Sequence, residues 1–179
     1  MRKILAVIGR PGTGKTTLFR EFIKTNEWER KELVKLVPSL YNETLDLHIL
    51  GKYEDGEVFA GTDKMSMAVM PAAIDFVMST TSNIIFEGDR LTSSKFFNFL
   101  SELPDTEFKI LVVTTDENIL AERYNERNSD QSEVFLKGRA TKISNIQTNM
   151  ELMFITETFK NNNLTEQETI LDQLVSFFN

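Results

Sequence analysis

The sequence predicts an α/β fold, a mostly parallel sheet flanked by helices in three layers, and three observations carry that expectation. Short apolar runs at Lys3 to Gly9, Asn83 to Phe86 and Phe108 to Thr114 have the composition of strands buried on both faces. Stretches of helical periodicity alternate with them, as in βαβ units. A glycine-rich loop, Gly9 to Thr16, joins the first run directly to the first helix.

Taken in order, Lys3 to Gly9 reads as the central strand, and Gly14 to Thr25 places Leu18, Phe19, Phe22 and Ile23 at helical spacing. Leu33 to Val37, Leu45 to Lys52 and Glu57 to Ala60 look strand-like, with Asp55-Gly56 as a hairpin signal. Lys64 to Met78 is helical, and Pro71 either opens a second helix or kinks a single one. After the strand Asn83 to Phe86, Ser93 to Leu103 reads as an aromatic-rich helix. The strand Phe108 to Thr114 leads to a helix carrying Ile119, Leu120 and Tyr124, with Thr114 and Glu117 at capping-box spacing. A polar stretch follows from Asn128 to Thr141. Thr165 and Glu168 repeat the capping-box spacing before a final amphipathic helix containing Ile170, Leu171 and Leu174.

Composition limits the classes of function. With 179 residues, 41% of them apolar, one domain over residues 1–179 can bury a full core. The absence of cysteine excludes disulfides, thiolate nucleophiles and zinc-thiolate sites, and the single histidine, His48, cannot build a His-based metal site alone. The first apolar run is too short for a signal sequence or a membrane span, so the expectation is a soluble, unprocessed chain with no membrane partner. A reducing cytoplasm fits, a host cytoplasm if the source is viral. The net charge of −7 argues against a general nucleic-acid coat. From Ile143 onward Lys160 is the only basic residue, so an anion-binding surface belongs to the earlier part of the chain.

Gly9-Arg10-Pro11-Gly12-Thr13-Gly14-Lys15-Thr16 satisfies G-x-x-x-x-G-K-[ST] in full, between a buried strand and an amphipathic helix. In such a loop backbone N–H groups converge on an anion and the helix N-terminus adds partial positive charge. Lys15 is expected to reach the β and γ phosphates of ATP, and the Thr16 hydroxyl to ligate Mg2+, with Thr17 beside it. An Asn-Lys-x-Asp guanine-reading motif is absent, and the second core strand ends in Phe86-Glu87-Gly88-Asp89-Arg90 rather than in an acidic pair.

That acid-x-x-Arg corner resembles the one in small nucleoside and nucleotide kinases. Over most of the chain the layout is similar to the nucleotide-kinase branch of P-loop proteins: cradle, substrate helices, acidic corner and arginine-bearing lid. The phrases Gly61-Thr62-Asp63-Lys64-Met65-Ser66-Met67 and Phe86-Glu87-Gly88-Asp89-Arg90-Leu91 also look like those of bacteriophage P-loop kinases of nucleotide metabolism or thymine hypermodification. Only the cradle is a specific motif. The adenylate-kinase phrase phenylalanine-proline-arginine is missing, which puts simple adenylate specificity in doubt. The resemblance implies ATP-dependent phosphoryl transfer to a nucleotide, a nucleoside or a hydroxymethylated pyrimidine, free or carried in DNA, by a monomer or small homo-oligomer. The competing class is a regulatory or assembly ATPase with no small acceptor.

Phosphoryl transfer needs positioning and charge neutralisation, which assigns roles to the remaining candidates. Glu87 is read as the base and Asp89 as the metal-side carboxylate, against a plain helix-capping role for the pair. Arg90 would hold the acceptor's phosphate or steady the base, or be a surface arginine. Arg123 and Arg127, four apart on one helical face, suit a lid over the γ phosphate, spanning roughly residues 123–142, or simply pair with Glu122 and Glu126. Arg139, with Lys137 and Lys142, sits in the polar stretch, where Gly138 allows a hinge; a disordered loop is the plain alternative. Asp63 and Lys64 are acceptor-recognition candidates or helix caps. Met65, Met67 and Met70 read as core or groove lining, His48 as a partly exposed structural residue and Trp28 as a surface helix end, with base stacking as its alternative. Asn161 to Asn163 read as a turn, although the resemblance to kinases implies an adenine contact there as the alternative.

Overall fold

The computed structural model describes residues 1–57, 59–127 and 131–179. Chain order is β1 (Arg2–Ile8), α1 (Lys15–Lys24), β2 (Glu29–Val34), β3 (Val37–Asn42), β4 (Leu47–Leu50), a 3-10 turn (Thr62–Lys64), α2 (Met70–Ser79), β5 (Asn83–Glu87) and α3 (Ser94–Ser101). There follow β6 (Thr106–Thr114), α4 (Glu117–Glu126), α5 (Glu133–Gln147), a second 3-10 turn (Met153–Ile155), β7 (Thr156–Lys160) and α6 (Leu164–Phe178). The strands form one sheet in the order β2-β3-β4-β5-β1-β6-β7. From β4 to β7 every pairing is parallel, and the β2-β3 hairpin extends the sheet antiparallel at the β4 edge.

Period-two alternation in the strands builds two cores from one sheet. Ile4, Ala6, Ile8, Ile84 and Phe86 face α2, α3 and the end of α5. Leu5, Val7, Ile85, Leu111 and Val113 face α1 and α6, where Leu18, Phe19, Ile170 and Leu174 cover them. The chain leaves β1 for β4 and β5 on one side and later reaches β6 and β7 on the other. In an open α/β sheet such a switch point puts the binding crevice at the carboxyl ends of the strands. The loops after β1, β5, β6 and β7 all meet there.

The structure corrects several local expectations. Leu33 to Val37 is not one strand: the chain turns at Leu36, whose φ is 75°, between β2 and β3. The described residues of Glu57 to Ala60 are not in a strand, only a bridge joins Lys52 to Gly61, and Val58 lies outside the described residues. Pro71 opens α2 and does not kink a longer helix. Trp28 packs against Phe22 and donates its ring N–H to the Ile23 carbonyl at 2.9 Å, so it anchors the chain leaving α1. The strand β7 went unread because its sequence, Thr-Glu-Thr-Phe-Lys, is polar, as an edge strand tolerates.

Helix ends also differ. The cap of α4 is Asp116, whose side chain turns instead to Lys160 and Asn162. Asn163, not Thr165, caps α6, accepting from the Glu166 N–H at 3.0 Å, while the Glu166 carboxylate accepts from the Asn162 N–H at 2.6 Å. The polar stretch is largely helix: Ser132 caps α5, and Gly138 lies inside it, so there is no hinge at that residue. Residues 128–130 of that stretch lie outside the described residues. Among the described residues no helix is long and apolar enough to cross a membrane.

His48 is 2% exposed rather than partly exposed, packed between a tilted Tyr41 ring and an edge-on Phe76 ring, with Nδ1 3.1 Å from the Ser39 hydroxyl. Burial, then the charge of Lys31, lowers its pKa from 6.5 to about 4. Because the folded state holds the proton less tightly than the unfolded chain, this contribution is fully present above about pH 6.5 and lost as pH falls to about 4. The whole loss is about 3 kcal/mol. Urea unfolding between pH 7 and 4.5 should show a shallower acid decline for His48→Gln than for the unaltered protein.

Candidate active site

The loop Gly9 to Gly14 leaves the carboxyl end of β1 and delivers Lys15 as the first residue of α1. Gly14 has φ 90°, a conformation available to glycine, and a Cβ there would sit 2.5 Å from the Asn161 side-chain nitrogen. The Lys15 ammonium folds back into the loop, donating to the carbonyls of Gly9 at 2.8 Å and Arg10 at 3.0 Å. Burial lowers the Lys15 pKa, and the nearby charges of Glu87 and Asp63 oppose that shift. Arg10 pairs with Glu117 at the start of α4.

Glu87 ends β5, which lies directly beside β1 with Val7 opposite Glu87. Its carboxylate is 1% exposed and accepts from the Thr16 hydroxyl at 3.1 Å and the Tyr53 hydroxyl at 3.4 Å. A Cβ on Gly61 would lie 2.4 Å from this carboxylate, and Gly61 has φ 69°, so glycine is needed for both space and backbone. Burial raises the Glu87 pKa from 4.5 to about 7, with Lys15 pulling it down and Asp63 pushing it up. The Thr16 hydroxyl therefore meets Glu87 and not Asp89.

Asp89 turns the other way. Its carboxylate pairs with Arg139, and with Lys142 at 2.9 Å, both on α5. Arg139 also lies over the Phe135 ring. Asp63 does not cap α2; its Oδ1 accepts from the backbone N–H groups of Asp89 at 2.8 Å and Arg90 at 3.1 Å. The Asp63 charge raises the pKa of both Lys15 and Glu87. Arg90 donates to the Asp63 carbonyl at 3.3 Å and rests on the Met67 sulfur. Lys64 faces Glu57 at 2.7 Å.

The two arginines of α4 part company. Arg123 does not pair with Glu122 or Glu126; it donates to the Gly12 carbonyl at 3.0 Å, the Thr115 hydroxyl at 3.2 Å and the Asn161 carbonyl at 2.9 Å. Arg127 is exposed at the end of α4, and its charge acts on Lys15, Arg123 and Tyr124. Tyr53 and Tyr124 are site residues that the sequence does not mark, while Lys142 and Asn161 take contacts more specific than the sequence implies. For Asn161 the usable signal was the period-two pattern of β7, which puts it on the same side as Phe159, toward α1 and α6.

The site offers what a magnesium nucleotide needs. Mg2+ is commonly held by one hydroxyl or carboxylate side plus phosphate oxygens and water, and the adjacent Thr16 hydroxyl and Glu87 carboxylate fit that donor set. A loop of this sequence at the head of α1, with β5 alongside β1, defines a P-loop kinase-like fold.

Solved structures agree at the level of fold. The chain is similar to a gluconokinase from Sinorhizobium meliloti 1021, with 13% identity over 98% of this chain and 96% of that one, at a TM-score of 0.51. It is similar also to a sugar kinase from Janibacter sp. HTCC2649, with 11% identity over 99% of this chain and 94% of that one, at a TM-score of 0.52. No family model matches the chain, and no curated protein matches it in sequence.

Proposed function

We propose that the protein is a kinase that transfers the γ-phosphoryl group of ATP to a hydroxyl of a small anionic acceptor. The observation that carries this reading is the Thr16–Glu87 hydrogen bond at 3.1 Å, beside Lys15 at the head of α1. It joins a phosphate loop to a buried carboxylate at the switch point of the sheet. Thr16 with Glu87 would hold Mg2+, which would supply charge neutralisation for the phosphoryl oxygens. This moves the metal-side role from Asp89 to Glu87. The base role passes from Glu87 to Asp63, whose Oδ1 is fixed by two backbone N–H groups.

In the transfer, the acceptor oxygen forms a bond to the γ phosphorus as the bond to the β-γ bridging oxygen breaks. The acceptor proton passes to the Asp63 carboxylate, and Lys15 offsets the charge gathering on the ADP leaving group. Lys15 reaches that position by exchanging the Gly9 and Arg10 carbonyls for phosphate oxygens. Arg127, whose charge acts on Lys15 from just beyond α4, serves the γ phosphate, while Arg139 and Lys142 tie α5 to Asp89.

Arg139 and Lys142 converge on the Asp89 carboxylate, and Arg90 lies beside them on the Asp63 carbonyl. These three cations line the acceptor side, which favours an acceptor carrying a phosphate or carboxylate. Deoxynucleoside monophosphates and hydroxymethylated pyrimidine nucleotides meet that description. The gluconokinase among the fold neighbours adds gluconate to the candidates.

The test is a panel of γ-labelled Mg·ATP reactions pairing each anionic acceptor with its neutral counterpart: monophosphate with nucleoside, gluconate with glucose, hydroxymethylated DNA with the free nucleoside. Label in an anionic acceptor, with the neutral partner at least about tenfold poorer, is the expected result. Label only in inorganic phosphate, whatever the acceptor, would sink the kinase reading in favour of an ATPase. Asp63→Asn should lower kcat by about 10²- to 10³-fold with KM for ATP nearly unchanged. Full transfer by Asp63→Asn would remove Asp63 from the base role.

A further inference from the structure

The phosphate loop is gripped from outside by three side chains. The Tyr124 hydroxyl donates to the Pro11 carbonyl at 2.6 Å, Arg123 to the Gly12 carbonyl at 3.0 Å, and the Asn161 amide to the Thr13 carbonyl at 2.8 Å. These are consecutive carbonyls. A trans peptide is a rigid plane whose N–H points opposite to its C=O, so fixing these carbonyls outward turns the N–H groups of Gly12, Thr13 and Gly14 inward. The Thr13 N–H also makes a long turn bond to the Arg10 carbonyl at 3.4 Å, which leaves Gly12 and Gly14 as the freer donors.

Asn161 is the hub of this arrangement. It is 2% exposed, its backbone N–H donates to the Thr114 carbonyl at 2.8 Å, and its own carbonyl accepts from Arg123 and from the Thr115 hydroxyl. The loops after β1, β6 and β7 are thereby joined through one residue. Its two neighbours do different work: Asn162 bonds Asp116, and Asn163 caps α6.

We propose that Asn161, with Arg123 and Tyr124, is a brace that sets the loop's N–H donors on the nucleotide's phosphates, which makes Asn161 a positioning residue for phosphate binding. The inference rests on the reading of Gly9 to Thr16 as the ATP site. It places Arg123 behind the loop, in a role separate from that of Arg127. The brace costs nothing when phosphate arrives, because the donors are already turned.

The test compares affinities for Mg·ATP and for adenosine, by calorimetry and NMR titration, in Asn161→Ala, Asn161→Asp, Tyr124→Phe and Asn163→Ala, with Tm measured for each. Asn161→Ala and Asn161→Asp should weaken Mg·ATP about tenfold, the scale of one lost hydrogen bond to a pre-set group, and leave adenosine unchanged. Tyr124→Phe, which removes a single hydroxyl, should weaken Mg·ATP several-fold in the same selective way. Asn163→Ala should lower Tm with no change in Mg·ATP affinity, separating loss of stability from loss of positioning. If folded Asn161→Ala and Tyr124→Phe bind Mg·ATP as the unaltered protein does, the brace is overturned while the ATP site stands. Should the Asn161 variants fail to fold, Tyr124→Phe decides alone. An unaltered protein that does not bind Mg·ATP would overturn the ATP-site reading and the brace together.

Discussion

Glu87→Gln is expected to abolish nearly all transfer, by about 10³-fold, and yet to make the unliganded protein more stable at alkaline pH. Both effects come from the same burial. Glu87 sits 1% exposed between Thr16 and Tyr53, and its pKa rises to about 7. The folded state therefore holds this proton more tightly than the unfolded chain. The contribution to stability is present below about pH 4.5 and is lost as pH rises through about 7. The full loss is about 3 kcal/mol, and glutamine, which cannot ionise, escapes it. At pH 8 the variant should be the more stable protein, and near pH 5 the two should be close. On the proposed metal role, the carboxylate offsets this cost to folding by holding a divalent cation that a neutral amide would hold less well. The His48 contribution runs in the opposite direction through much of the same pH range, so each substitution exposes the slope of the other group. Guanidinium unfolding of both variants from pH 4.5 to 8 resolves the two.

Lys15→Ala is expected to reduce transfer by about 10³-fold. Its ammonium lies within the loop on the Gly9 and Arg10 carbonyls, desolvated, with Glu87 as the strongest compensating charge. Removing it takes away the strongest of the groups that draw the Glu87 pKa down, ahead of the Thr16 and Tyr53 hydroxyls, so the residual activity should need higher pH. A pH–rate profile of the variant should shift its lower limb upward. An unshifted limb would mean that Lys15 does not control Glu87.

Why some of this was legible in the sequence and some was not follows from locality. The phosphate loop is eight contiguous residues whose backbone does the work, so spacing alone identifies it. The central strands were legible because burial on both faces leaves unbroken apolar runs in β1, β5 and β6. Helix α5 was hidden because Ile146 is its one fully buried residue, and no apolar stripe marks a helix that crosses the site through charged contacts. The roles of Glu87 and Asp89 depend on strand parity. Ile85 faces α1, so Glu87, two residues on, must face α1 and Thr16, while Asp89 lies beyond the strand. That deduction needs the side of the sheet on which α1 packs, which the chain's linear order does not state. Asn161 depends in turn on β7, whose polar sequence gave no warning of a strand.

The most direct test of phosphoryl transfer through the Thr16–Glu87 corner is a single-turnover reaction of excess protein with γ-labelled Mg·ATP and the best anionic acceptor. The partition of label between acceptor ester and inorganic phosphate is read in the unaltered protein, Lys15→Ala and Glu87→Gln. The account predicts label in the ester for the unaltered protein and almost none in either variant over the same time. Equal ester formation by Glu87→Gln, or label confined to inorganic phosphate in the unaltered protein, would contradict it.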